Sequence, residues 1–313
     1  MADPDPFPTA QVLVLSAALF SNAYAFTSVF PFAGPLSEHL LGSSGDDHRA
    51  AGFAAGAIGG SFMLGRLLTA WSWGKYSDTH GRKPVLLVGL MGIAVTSALF
   101  GMVPGEHKGF FWLALFIRLV SGMLNSITGV AKTVVSEVAS ERHQPRAMSS
   151  VALCFSGGLI AGPAVSGALY GVGSEDFPAF LACLPPSAVA LATFFLVKVY
   201  LRESRQLVRV DHDAVLGDDK YDEAGIELVP TGGSEGVDDR ELPPLCRNKA
   251  ALLAISAYTL WSGVQIATDE VVPLYAIAPK ETGGLEVSVA TVGFVMAVMG
   301  VPLVLYQLLA YPW

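Results

Sequence analysis

The chain has 313 residues, of which 52% are hydrophobic and only 15% charged, where ordinary soluble domains carry about 25% charged residues, and this argues against a soluble enzyme. Net charge is −8, from 27 acidic against 19 basic residues, and the basic residues form no cluster of the kind that grips DNA or RNA. Cys154, Cys183 and Cys246 lie far apart, with neither metal-ligand spacing nor an even-numbered disulfide framework, so no metal site and no cofactor are expected.

A membrane-crossing helix needs about 20 mostly apolar residues, and eight such runs follow one another: 10–33, 50–73, 84–103, 110–134, 147–170, 177–200, 250–272 and 287–310. The segment before the first, MADPDPFPTAQ, has no Lys or Arg. It therefore lacks the positive flank of a cleavable signal peptide, and the first run reads as a retained span. The expectation is an all-α membrane protein embedded in a lipid bilayer. Glycine and proline recur inside the runs, as in GFAAGAIGGSFMLG, which suits helices whose backbones approach closely.

Orientation follows from the loops. With the N-terminus in the cytosol, 13 Lys and Arg fall in cytosolic segments and three, Arg49, Lys108 and Lys280, fall outside. One long polar segment, 201–248, separates six runs from two and holds 12 acidic against six basic residues. It reads as a disordered cytosolic linker. The expected organisation is a six-span half over 1–200, the linker over 201–248, and two further spans over 249–313.

Ionisable residues within spans are costly unless they face a cavity or a partner. In the fourth run, RLVSGMLNSITGVAK places Arg118, Gly122, Asn125, Gly129 and Lys132 four, three, four and three residues apart, the repeat of one helix face. Such a stripe is expected to line a central cavity, with Lys132 either in it or reaching the cytosolic interface. Arg66 in the second run either binds solute or serves structure. Asp269 and Glu270, near the outer end of the seventh run, are the natural proton-titrating groups if they face the cavity, and an acid pair in water if they do not. Asn22 in the first run is polar enough to contact solute. The six histidines fall in or beside loops, share no helix face and offer no catalytic set, so no enzymatic activity is expected.

Between the second and third runs the chain reads GKYSDTHGRKP. Gly74 and Gly81 permit a tight reversal, Asp78 can accept from a helix N-terminus or from Arg82, and Arg82 and Lys83 hold the loop on the cytosolic side. This G-x-x-x-D-x-x-G-R-K pattern resembles the signature gate loop of the major facilitator superfamily. Arg118 with Gly122 resembles the fourth-helix arginine motif of the same superfamily. GLIAGPAVSGALYG, with Gly158, Gly162, Pro163 and Gly167, resembles its fifth-helix antiporter motif. The stretch GGSFMLGRLLTAWSWGKYSDTHGRKPVLLVG, the fourth-span run ending AKTVVSEV, and the stretch from PLYAIAPKETGGLEV to QLLAYP resemble the plant ZINC INDUCED FACILITATOR-LIKE transporters.

The resemblance implies the major facilitator fold, with a complete N-terminal six-helix half and the first two helices of the C-terminal half. It implies a proton-coupled carrier that moves a small solute, whether metal chelator, organic anion or drug-like, by alternating access. Arg118 would then tune the proton site, and the membrane would be vacuolar or plasma. Family members have 12 spans, so this chain reads as truncated after the eighth. The alternative expectation is a membrane protein that transports nothing itself and modulates a full-length carrier.

Overall fold

The computed structural model describes residues 7–41, 48–104, 108–140, 142–174, 176–203 and 249–309. Among them the regular elements are helices: α1 (Thr9–Thr27), a short 3-10 turn (Phe30–Phe32), α2 (Ala33–Leu41), α3 (His48–His80), α4 (Arg82–Gly101), α5 (Lys108–Leu124), α6 (Ile127–Val138), α7 (Gln144–Leu169), α8 (Phe180–Tyr200), α9 (Lys249–Ile277) and α10 (Val289–Leu309). Among the described residues, seven stretches are long and apolar enough to cross a membrane: Thr9–Leu41, Ala50–His80, Arg82–Gly101, Phe110–Val138, Gln144–Leu169, Phe180–Tyr200 and Val289–Gln307. The predicted run 250–272 is also one helix, α9, but Gln265, Thr268, Asp269 and Glu270 crowd its second half with polar groups. The chain is an integral, multi-pass membrane protein.

Two compact units divide the chain, one formed by residues 1–208 with 270–313 and one by residues 209–269. In the first, α1 packs on α7 and α8, α3 on α5, α4 on α8, and α10 on α7. The predicted acidic linker lies outside the described residues beyond Glu203.

In a bilayer, helix association depends on close packing rather than on escape from water, and small residues supply it here. A Cβ at Gly158 of α7 would fall 2.5 Å from the carbonyl oxygen of Phe20 on α1. On the other side of α7, one at Gly167 would stand 2.9 Å from the carbonyl oxygen of Val289 and 3.1 Å from the Cα of Gly293, both on α10. Gly162 faces Tyr24 and Thr27 of α1, and Pro163 sits inside α7 with its carbonyl against Gly293. Bulk fills the rest. Leu15, Leu19, Leu86, Leu90, Ile127 and Val134 form one buried cluster, and Phe32, Leu36, Ile58 and Phe100 form a second.

Two expectations are corrected. GKYSDTHGRKP is not a loop: α3 runs through Lys75, Asp78 and His80, and α4 starts at Arg82, so the reversal is made by Gly81 alone, at φ 105°. Nothing between Gly74 and His80 breaks a helix, and Gly74 is an ordinary helical residue. Pro84 in the first turn of α4 loses nothing, because amides there have no intrahelical acceptor. Secondly, the fourth run is two helices, interrupted at Asn125 and Ser126. Asn and Ser side chains compete for backbone hydrogen bonds, which favours a break at this point.

Candidate functional site

The stripe predicted in the fourth run is divided by that interruption. Arg118, on α5, is 5% exposed and buried in protein, with its guanidinium carbon 4.8 Å from the ring centre of Phe62 and 5.8 Å from that of Phe100. Both are cation–π distances. Its Nε and Nη2 make no hydrogen bond among the described residues. They border a cavity of about 10 Å³ whose wall includes Ser28, Thr96, Ser97, Ser121 and Cys183. That is room for one water, and the wall is polar enough to hold it. Gly122 lets α5 rest directly on the backbone of Phe62.

Asn125 and Gly129 line a different, larger cavity of about 610 Å³ between α3 and α6. Arg66 lines it too, with Ser126 nearby, and at its other end stand Asp78 and Arg82. Lys132 is exposed and not part of that wall. Asn22 joins Asn125 by side-chain bonding: Asn125 Nδ2 donates to Asn22 Oδ1 at 2.7 Å, and Asn22 Nδ2 donates to Thr128 Oγ1 at 2.9 Å. This short chain ties α1 to the break itself and to the first turn of α6.

The acid pair on α9 also separates. Asp269 Oδ1 accepts from Gln265 Nε2 one turn back, at 3.1 Å. Glu270 is half-buried in a small cavity with Val29, Phe30, Ala33, Ala55 and Leu274, its carboxylate lying against Gly59 where no Cβ would fit.

At the α3–α4 turn the predicted charges form a network. Arg82 pairs with Asp78, the i,i+4 partner on α3, and with Glu137 at the end of α6, where Nη2 lies 3.0 Å from Oε1. Its Nη1 also donates to Ser77 Oγ at 2.9 Å. The start of α4 is capped by Glu203 rather than by Asp78: the amides of Arg82 and Lys83 donate to its two carboxylate oxygens at 2.7 and 3.1 Å. A carboxylate at a helix N-terminus is favoured by the helix dipole as well as by these bonds. Lys83 Nζ donates to the Leu201 carbonyl at 2.7 Å, fastening the end of α8 to the same point.

Glu137, Glu203, Thr69 and Trp73 were not expected here. Their partners lie 55, 121, 54 and 50 residues away in sequence, so no local spacing pointed to them. Among the described residues no group of three or more His, Cys, Asp or Glu is placed to hold a metal ion.

Residues 15–312 match the Major Facilitator Superfamily. Protein ZINC INDUCED FACILITATOR 1 of Arabidopsis thaliana is 31% identical over 322 residues, spanning 98% of this chain and 64% of that protein. Protein ZINC INDUCED FACILITATOR-LIKE 1 of the same plant is 32% identical over 321 residues, with the same two shares of 98% and 64%. A probable peptide/nitrate transporter of A. thaliana is 34% identical over 280 residues, covering 83% of this chain and 54% of its own length. The chain thus spans between half and two thirds of these relatives. Among solved structures, a D-xylose-proton symporter superposes with a TM-score of 0.67 over 97% of this chain and 68% of its own, at 15% identity, a likeness of fold alone.

Proposed function

The chain belongs to the major facilitator superfamily, and from that premise we propose that it acts as a proton-coupled secondary transporter moving a small solute by alternating access. The observation that carries this reading is the 610 Å³ cavity between α3 and α6, which has charged residues at both ends and an interrupted helix in its wall. Polar, non-helical backbone at membrane depth is found where it lines a cavity or binds solute. The solute is a metal chelator, an organic anion or a drug-like molecule. A part in zinc homeostasis, taken across from the two relatives named for zinc, belongs to the same proposal.

Glu270 is the proton carrier in this reading, because its carboxylate sits in an enclosed, largely apolar site and not in open water. Arg118 is the fixed charge that biases it, and the Asp78–Arg82–Glu137 network is the gate on the cytosolic side. The N-terminus lies in the cytosol, and the membrane is vacuolar or plasma.

The test is to reconstitute the chain in vesicles loaded with a pH-sensitive dye, impose a proton gradient, and add citrate or ethidium. Solute-dependent proton movement that disappears in Glu270→Gln and Arg118→Ala, with both variants still inserted, is the expected result. Proton movement unchanged in those variants, or absent with every solute tried, overturns the proposal.

A further inference from the structure

The interruption between α5 and α6 is held in place from one side and left open on the other. The Met123 carbonyl, freed where α5 ends, accepts from Thr69 Oγ1 at 2.8 Å and from Trp73 Nε1 at 2.6 Å, both on α3. The Asn125 amide closes a tight turn onto the Gly122 carbonyl at 3.0 Å. The start of α6 has no equivalent support. No side chain caps it at Ser126, and amides of a first turn have no acceptor within their own helix. This 12-residue helix therefore begins, positive end first, in the wall of the 610 Å³ cavity that Arg66 also lines.

A second observation is independent of the helix end. Asn125 is 4% exposed and lines the same cavity, and its Oδ1 has no hydrogen-bond partner among the described residues. Its Nδ2 is occupied by Asn22 Oδ1, and the Asn22 Nδ2 by Thr128 Oγ1. With the bonds running in this direction, and Thr128 Oγ1 accepting at the end of the chain, the position left over on Asn125 is an acceptor. One turn along α6, Gly129 leaves the wall bare, with no described residue within 4 Å of where a Cβ would stand. At the far end the Asp78 carboxylate is paired with Arg82.

We infer that the α5–α6 break is a binding subsite for a carboxylate with a hydrogen-bond donor on the adjacent carbon, that is, a 2-hydroxy or 2-amino acid. The carboxylate is received by the first-turn amides of α6 and by Arg66. The hydroxyl or ammonium group donates to Asn125 Oδ1. This deepens the transporter reading and rests on it for the solute's passage across the membrane, while binding itself can be measured without transport.

The experiment is calorimetric titration of the purified chain in detergent micelles with malate, aspartate and succinate at neutral pH. These share a four-carbon dicarboxylate skeleton and differ in the group beside one carboxylate: hydroxyl, ammonium or nothing. A hydrogen bond to a buried acceptor predicts malate and aspartate binding about tenfold tighter than succinate. Asn125→Leu removes that advantage and leaves succinate unchanged. Since Asn125 also bonds to Asn22, Gly129→Leu serves as the second variant: it fills the bare wall without touching the amide chain, and weakens all three ligands about tenfold or more. Equal affinity for the three, indifference to Gly129→Leu, or no binding of any of them overturns the inference. Flux of some other solute with none of the three bound would sink this inference alone. Binding in the expected pattern by a chain that moves nothing would sink only the transporter reading.

Discussion

The indole N–H of Trp73, on α3, donates to the carbonyl oxygen of Met123 at 2.6 Å, at the point where α5 stops being a helix. Thr69, one turn earlier on α3, donates to the same oxygen at 2.8 Å. A break inside a membrane-crossing segment leaves carbonyls without their helical donors, and one of them is satisfied twice over from a neighbouring helix. The kink thus belongs to the α3–α5 contact as much as to the sequence of the fourth run.

This double bonding predicts a non-additive response. Either Trp73→Phe or Thr69→Val alone leaves Met123 O with one donor, at a cost near 1 kcal/mol. The double variant leaves a buried carbonyl bare and costs about 2–3 kcal/mol, more than the two singles together. Thermal unfolding of all four proteins in the same detergent reads the difference, and strict additivity would show that the shared carbonyl is not what couples them.

Glu203 holds the start of α4 through two amides. Glu203→Ala is expected to cost about 1 kcal/mol, the usual size of a lost helix cap. Hydrogen–deuterium exchange gives the more specific readout: the Arg82 and Lys83 amides should exchange faster, while those in the middle of α4 do not change. Uniform exchange along the helix would count against a capping role.

Arg82 bonds two carboxylates of unequal exposure, Glu137 with 25% of its side chain exposed and Asp78 with 66%. Screening by water weakens the more exposed pair, so double-mutant cycles should give a coupling of about 1 kcal/mol for Arg82–Glu137 and under about 0.5 kcal/mol for Arg82–Asp78. Raising salt should shrink the second proportionally more. The reverse order of couplings would mean that closeness across the Gly81 turn, and not burial, sets the strength of this network.

Glycines that look alike in the sequence should respond oppositely to substitution. Gly293 of α10 lies against the Pro163 carbonyl and the Gly167 Cα of α7, so Gly293→Ala forces two backbones apart and should cost about 1–3 kcal/mol. Gly129 meets nothing within 4 Å, so Gly129→Ala should be neutral or gain up to about 1 kcal/mol from better helix propensity. Thermal stability of the two variants side by side decides the matter. If both destabilise equally, the open wall at Gly129 is filled by something else.

Much of the architecture is written locally. Apolar run lengths place the starts of the spans within three residues of the observed helices, because a bilayer demands a minimum continuous apolar length and tolerates few charges within it. Arg118 stands out for the same reason, as a charge where none is affordable without shelter. The pairing of Asp78 with Arg82 was readable because a tight reversal at Gly81 keeps opposite charges on either side of it close together. The loop expected around them is not there: Gly, Lys, Ser and Asp suggest a turn by composition, yet all seven residues from Gly74 to His80 complete α3.

By itself, then, the sequence determined the helical membrane fold, the order of the spans, and which polar residues had to be sheltered. Only the tertiary structure decided how they are sheltered: Arg118 beneath two phenylalanines, Asn125 and Gly129 on an open cavity wall, Glu270 against Gly59, Glu203 over the start of α4. The reason is physical. Span formation depends on the summed transfer energy of about 20 consecutive residues, which any local window contains. A hydrogen bond or a close backbone approach depends on distances of about 3 Å between groups far apart in the chain, and those distances exist only once the helices have packed.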